Sequence, residues 1–198
     1  MALEALGAPI FSWYCFYDRR QCLFQDDADW EPPFAAMPMS LDANLRNTRA
    51  IGEFAARIGR CAVPQQFRVD QGPAPCRLAS ADFSEMATQL RTLLRDLQRQ
   101  QGLKPEQIAV LSPYRHDNPQ STWSAGLNEI KQNIDMANPQ PGSTRVGTIQ
   151  GFKGLEADVV ILVGIDERCV RHPATLYVGA SRARAALYVL ELKSAGLE

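Results

Sequence analysis

The sequence predicts an α/β domain whose mostly parallel sheet is covered by helices on both faces, and three observations carry that prediction. Residues 108–111 and the longer run after Asp158 are apolar throughout rather than alternating, as strands buried on both faces are. Stretches with helical spacing fall between such runs, and strands separated by helices imply parallel crossovers. At 198 residues with 45% hydrophobic content, the chain has enough apolar side chains for a core of this kind.

Taken in order, residues 10–16 form an aromatic, β-prone run that breaks at the polar residues 18–21. Residues 25–38 are acidic and carry Pro32, Pro33 and Pro38, which cannot sustain a helix or a central strand, so a linker is expected there. Asn47 or Thr48 can cap a helix whose Ile51, Phe54, Ala55 and Ile58 share one face and which ends near Gly59. A loop over 63–75 and a short strand over 77–79 follow. Asp82, with Glu85 three residues on, is a capping signal for a helix whose buried stripe is Phe83, Met86, Leu90, Leu93, Leu94 and Leu97. The strand over 108–111 ends in a loop from 112 to 118, and Trp123, Leu127, Ile130 and Ile134 predict another helix. Strands over 145–148, 158–164 and 186–192 and a helix over 174–184 complete the chain. Two units are expected, 1–38 and 39–198.

Composition narrows the function classes. A net charge of -1 and a pI near 6.2 offer no global attraction for nucleic acid, so phosphate binding has to come from local clusters such as Arg19–Arg20 or Arg182 and Arg184. The five cysteines are odd in number and lack C-x-x-C spacing, which argues against a disulfide framework and a zinc site and for reduced, mostly buried thiols. No apolar stretch approaches the ~20 residues needed to cross a bilayer, and residues 1–10 lack the pattern of a secretion signal, so a cytoplasmic, membrane-free setting is expected. His116 and His172 have no partner at ligand spacing, and Trp13, Trp30 and Trp123 read as core or interface residues.

The most informative stretch is 148–163, where a charged, glycine-bearing turn opens into a β-branched apolar run. Two glycines around Lys153, followed by Glu156, allow close backbone approach and supply one cation and one carboxylate. That chemistry suits a phosphorylated, hydroxylated ligand, hence a nucleotide or nucleic acid. Three further clusters accompany it: 16–24 (FYDRRQCLF), 41–48 (LDANLRNT) and 176–184 (LYVGASRAR).

In this order the four clusters resemble the later motifs of UvrD/Rep-like superfamily 1 DNA helicases. The first is similar to GDxxQ, with Tyr17 at the usual glycine; the resemblance implies that Gln21 senses the γ-phosphate and Phe24 stacks on a DNA base. The second is similar to LxxNYRS, with Leu45 at the usual aromatic, and implies that Arg46 reaches the nucleotide phosphates, a task that suits a planar, permanently charged fork. The third matches TxxxxKGLE; it implies that Thr148 and Gln150 face the DNA backbone and that Glu156 accepts a hydrogen bond from the ribose. The fourth resembles YVALTRA and implies that Arg182 is the arginine finger, a role that can contribute ~10³-fold or more in rate. Arg184 reads as a solvated cation at a helix end.

By this resemblance the fold is RecA-like, residues 1–38 are the last strand and motif of a first motor domain plus linker, and 39–198 are the second. The chain contains no G-x-x-x-x-G-K-[ST] phosphate loop and no D-E pair closing an apolar strand. ATP and Mg²⁺ are therefore expected to be held mainly by an N-terminal helicase domain in cis, encoded before Met1, with single-stranded DNA as the other partner. Leu197-Glu198 reads as a cloning remnant, and the isolated fragment is expected to be inactive. About a hundred residues separate the second motif from the third, a shorter interval than in well-known members of that family, which insert a helical subdomain there. The alternative is a non-catalytic doubly wound module that binds a nucleotide or a partner.

Overall fold

The computed structural model describes residues 43–115, 118 and 122–197, so the expectations for residues 1–38 lie outside the described residues. In chain order the elements are β1 (Ala43–Thr48), α1 (Arg49–Ile58), β2 (Gln66–Val69), β3 (Cys76–Ser80), α2 (Phe83–Arg99), β4 (Ile108–Ser112), β5 (Gln132–Asn133), β6 (Thr144–Thr148), β7 (Ala157–Ile165), α3 (Glu167–Val170), α4 (Pro173–Ala180) and β8 (Ala183–Leu192). Six strands form one sheet in the order β3-β8-β7-β4-β6-β5, and every described pairing is parallel. This is a RecA-like α/β arrangement.

The uniformly apolar strands are explained by their position. β4 and β7 sit at the middle of the sheet, and successive residues alternate between two cores. Ala109, Leu111, Val160 and Leu162 face a core built with α1 and α4, where Ile51, Phe54, Leu176 and Val178 lie. Ile108, Val110, Val159 and Ile161 face the core of α2, with Met86, Leu90, Leu94 and Leu97. A strand covered on both faces has no position for a polar side chain, so period-2 alternation is invisible in its sequence.

The two long helices start and stop where their sequences direct. Thr48, not Asn47, caps α1, its hydroxyl accepting the Ile51 N–H, and Gly59 closes the helix. Asp82 caps α2 by accepting the Glu85 N–H at 2.8 Å, while Glu85 reaches back to the Ala81 N–H at 2.6 Å. Among the described residues no helix is long and apolar enough to cross a membrane.

Four expectations are corrected. The loop over 63–75 contains β2, which pairs in parallel with β1 as a separate two-stranded sheet. The helix expected around Trp123 and Ile134 is a 3₁₀ turn, Thr122–Leu127, followed by β5; Trp123 and Leu127 are buried but Ile134 is 70% exposed, and Gly126 and Asn128 are weak helix formers. The last helix ends at Ala180 rather than 184, because the hydroxyl of Ser181 and the guanidinium of Arg182 turn back onto the Val178 carbonyl. Of the described cysteines only Cys169 is buried, while Cys61 is half-buried and Cys76 exposed.

Asp82→Ala removes the α2 cap. The expected loss is about 1 kcal/mol, seen as a lower urea midpoint with an unchanged slope.

Candidate functional site

The site begins with a kink in β1. The Asn44 side-chain oxygen accepts the N–H groups of both Arg46 and Asn47 at 3.0 Å, and its amide donates to the Asn47 side-chain oxygen at 2.9 Å. Asparagine side chains bond readily to nearby backbone, and here that tendency breaks the strand register between Asn44 and Thr48. The kink divides two neighbours between two directions. Arg46 points outward, while Asn47 is only 3% exposed and donates its amide to the carbonyls of Ser181 at 3.0 Å and Ala183 at 2.5 Å. The segment after α4 is thereby tied to the segment before α1.

The turn after β6 is held from within. Thr148 Oγ1 accepts the Gly151 N–H at 3.0 Å and the Thr148 carbonyl accepts the Phe152 N–H at 3.1 Å. Phe152 is fully buried and anchors the middle of the connection. Gly154 has φ of +89°, a left-handed conformation that a side chain would strain. The chain then enters β7, where the Ala157 N–H donates to the Arg182 carbonyl at 3.1 Å.

Glu156, just before that entry, meets Arg46. The Arg46 Nε to Glu156 Oε2 distance is 2.9 Å, and the two side chains are 38% and 45% exposed. Arg184 approaches the other oxygen, with Nε 3.7 Å from Glu156 Oε1, and also lies 3.7 Å from Asp158 Oδ1. Gln107 donates to the remaining Asp158 oxygen at 3.0 Å. The result is an open ledge of alternating charge. Exposed pairs of this kind contribute about 0–1 kcal/mol, so an incoming phosphate can replace the carboxylate at little cost.

The ledge lies at the amino ends of β7 and β8, whereas ligands of an open parallel sheet ordinarily bind outside the carboxyl ends of its strands. Of the matched residues, Thr148 lies at a carboxyl end, that of β6. The eight-residue connection after it returns along the sheet and delivers Glu156 to the opposite end. Arg184 is likewise not at a helix end but is the second residue of β8, because α4 stops early.

The structure brings Arg46 and Glu156 together and sets Arg182 behind them. Arg182 is 1% exposed; its Nε donates to the Val178 carbonyl at 3.0 Å and its Nη2 to Ser181 Oγ at 3.1 Å. Its backbone adjoins the ledge through Ala157, but its guanidinium faces inward. Thr148 and Gln150 are half-buried, and Thr148 spends its hydroxyl within the turn. Gln21 and Phe24 lie outside the described residues.

Three contributors escape the sequence reading: Asn47 as the clamp, Arg184 as part of the ledge, and Arg145, a buried arginine whose Nη2 donates to the Glu156 carbonyl at 3.1 Å. Burial lowers the Arg145 pKa from its usual value, with the Asp158 carboxylate partly opposing that shift. Its one sequence signal is an arginine inside an otherwise strand-like run.

At the carboxyl ends of β4 and β7 lies a second polar cluster. Tyr114 donates its hydroxyl to Asp166, with 2.9 and 3.0 Å to the two oxygens, and Cys169 Sγ is 3.1 Å from Asp166 Oδ1. Asp166 also caps α3 through the N–H groups of Arg168 and Cys169. Burial pushes the Cys169 thiol up to about 11 and the Tyr114 hydroxyl well above its usual value. For Asp166 burial acts upward, but the hydrogen bonds from Cys169, Tyr114 and Arg168 outweigh it and hold the carboxyl below the usual range. An inert thiol and a fixed carboxylate make this a structural corner. Among the described residues, no group of three His, Cys, Asp or Glu side chains is arranged to hold a metal.

Two outcomes are expected. Asn47→Ala leaves two carbonyls without their donor and costs about 1–3 kcal/mol, measured by urea unfolding. Because the folded Asp166 carboxyl titrates below its unfolded value, its contribution is complete above about pH 4 and is lost as pH falls through the folded value. Urea midpoints taken from pH 7 down to 3 therefore fall at the acid end in the wild type, and fall less in Asp166→Asn.

The family model described as the UvrD-like helicase C-terminal domain matches residues 143–190. No curated protein matches the chain. The crystal structure of the C-terminal domain of a possible DNA helicase from Lactobacillus plantarum WCFS1 is similar with a TM-score of 0.59 and 20% identity, covering 76% of this chain and 88% of that one. The PRRSV helicase covers 75% of this chain and 22% of its own, at 15% identity; its TM-score of 0.39 carries no argument. The first of these likenesses is one of fold, the RecA-like sheet described above. The family match spans β6, the Thr148–Glu156 connection, β7, α4 and most of β8, and over that stretch the chain is similar to the UvrD-like helicase C-terminal domain.

Proposed function

We propose that this chain carries the second motor lobe of an ATP-dependent DNA helicase, closing over ATP held by a phosphate-loop lobe. The observation that carries this reading is the meeting of Arg46 and Glu156 at 2.9 Å across 110 residues of sequence, on an open surface. A guanidinium fork suits phosphate oxygens and a carboxylate suits a ribose hydroxyl, so one nucleotide can replace their mutual bond with two. The donor set fits ATP in this way. It does not fit Mg²⁺, for which this ledge has no oxygen cluster, so the metal in this reading sits with the phosphate-loop lobe.

Within this proposal, residues 1–38 close the first lobe and 39–198 form the second. Arg46 binds phosphate, Glu156 orients the ribose, and Gln21 couples the γ-phosphate to DNA. Thr148, Gln150 and Phe24 follow single-stranded DNA as the lobes open and close. Arg182 acts as the finger after trading Val178 and Ser181 for the transferred phosphoryl group. ATP supplies the free energy, and this lobe supplies positive charge where negative charge develops.

The second reading, a non-catalytic module that binds a nucleotide or partner, is favoured by one observation: Arg182 is 1% exposed and already bonded. The two readings part on turnover. With this lobe joined to its phosphate-loop lobe and supplied with ATP, Mg²⁺ and single-stranded DNA, Arg46→Ala and Arg182→Ala are each expected to lower ATPase turnover by ~10³-fold, with DNA binding nearly unchanged. The 198-residue chain alone is expected to hydrolyse no ATP. Turnover retained within tenfold in both variants would favour the module.

A further inference from the structure

Arg145 is 6% exposed, and a buried cation is costly unless its surroundings pair it. It stands on β6, in register with Ala109 on one side and Asn133 on the other. A methionine would occupy similar volume there without bringing a charge out of water. What Arg145 touches accounts for its presence. Its Nη2 donates to the Glu156 carbonyl at 3.1 Å, and its guanidinium lies 4.9 Å from the centroid of the Phe152 ring. Its Nε is buried and has no hydrogen-bond partner, so the fork is placed for those two contacts rather than for the fullest pairing.

Phe152 and Glu156 bracket the exposed, left-handed turn at Gly154. Beyond Glu156 the next anchor is the Ala157 N–H on the Arg182 carbonyl. The Glu156 carbonyl and the Ala157 N–H are the two edges of one peptide plane, so Arg145 and the Arg182 carbonyl grip that plane from both sides, and without Arg145 it would be held at one edge alone. One planar group holds both sides of the turn, stacking on one and hydrogen-bonding the other. Lysine, a point charge without a flat face, can do only one of these.

We propose that Arg145 is a positioning residue: a buried strut that fixes the 152–156 turn and so presents the Glu156 carboxylate to ligand. This rests on the reading of Glu156 as a nucleotide contact, and its test separates the two. The 198-residue chain, isotopically labelled, is titrated with ATP, and backbone amide exchange is measured in parallel. Arg145→Met is expected to speed exchange about tenfold at Leu155 and Ala157, whose N–H groups are bonded to the Phe152 and Arg182 carbonyls, while the amides of β4 and the middle of β7 are unchanged. ATP affinity is expected to fall about tenfold, and in a Glu156→Ala background Arg145→Met is expected to weaken ATP no further. Arg145→Lys should give a smaller change of the same kind, and it stands in if the methionine variant does not fold.

Unchanged exchange at Leu155 and Ala157 would overturn the inference, as would faster exchange with unchanged ATP affinity. If ATP shifts neither Arg46 nor Glu156 in the wild type, the nucleotide reading fails, and with it the ligand half of this inference. The strut is then upheld or overturned by exchange alone.

Discussion

The arrangement depends on one buried carboxamide. Asn47 donates to the carbonyls of Ser181 and Ala183, on either side of Arg182, the first in the irregular link between α4 and β8 and the second at the first residue of β8. Such a link has backbone acceptors that no neighbouring strand satisfies, and burial makes each of them costly when left open. The asparagine meets that need and in doing so holds β1 against the sheet. Arg46 is its immediate neighbour, so the clamp also decides where that guanidinium can reach.

Burial sorts the charges near this end of the sheet into two kinds. Arg46, Glu156 and Arg184 are well exposed, and their attraction is screened by water and salt. Such groups can exchange partners. Arg145 and Arg182 are nearly inaccessible, and each is bonded to backbone that shapes a turn. Removing either would take a donor from a backbone carbonyl, Glu156 for Arg145 and Val178 for Arg182. The exposed set is thus suited to meet a ligand and the buried set to hold the first in register. For Arg182 to act as the finger proposed above, its guanidinium would have to leave the Val178 carbonyl and the Ser181 hydroxyl.

Much of the scaffold was legible because it rests on local rules. Asp82 and Glu85 mark the start of α2, Gly59 ends α1, and the uniform apolarity of 108–111 places that strand in the middle of a parallel sheet. Features decided by long-range contacts were not legible. β2 has a weak pattern, and it is a strand because β1 lies beside it. The stripe Trp123-Leu127-Ile130-Ile134 has helical spacing, but its first two residues fill the core over α2 and the chain then leaves for the sheet edge. The end of α4 was misplaced because its stop signal is side-chain bonding by Ser181 and Arg182, residues that otherwise extend the helical pattern.

The same division holds at the ledge. The sequence by itself determined the chemical types, the order of the clusters along the chain and the need for glycine where the backbone turns left-handed, since these follow from residue identity and local conformation. Tertiary structure alone decided that Glu156 meets Arg46 and Arg184, that this occurs at the amino ends of β7 and β8, and that Arg182 faces inward. The physical reason is that a parallel crossover carries the chain from one end of the sheet to the other, so which groups become neighbours depends on strand order, and strand order is set by how the two cores are filled.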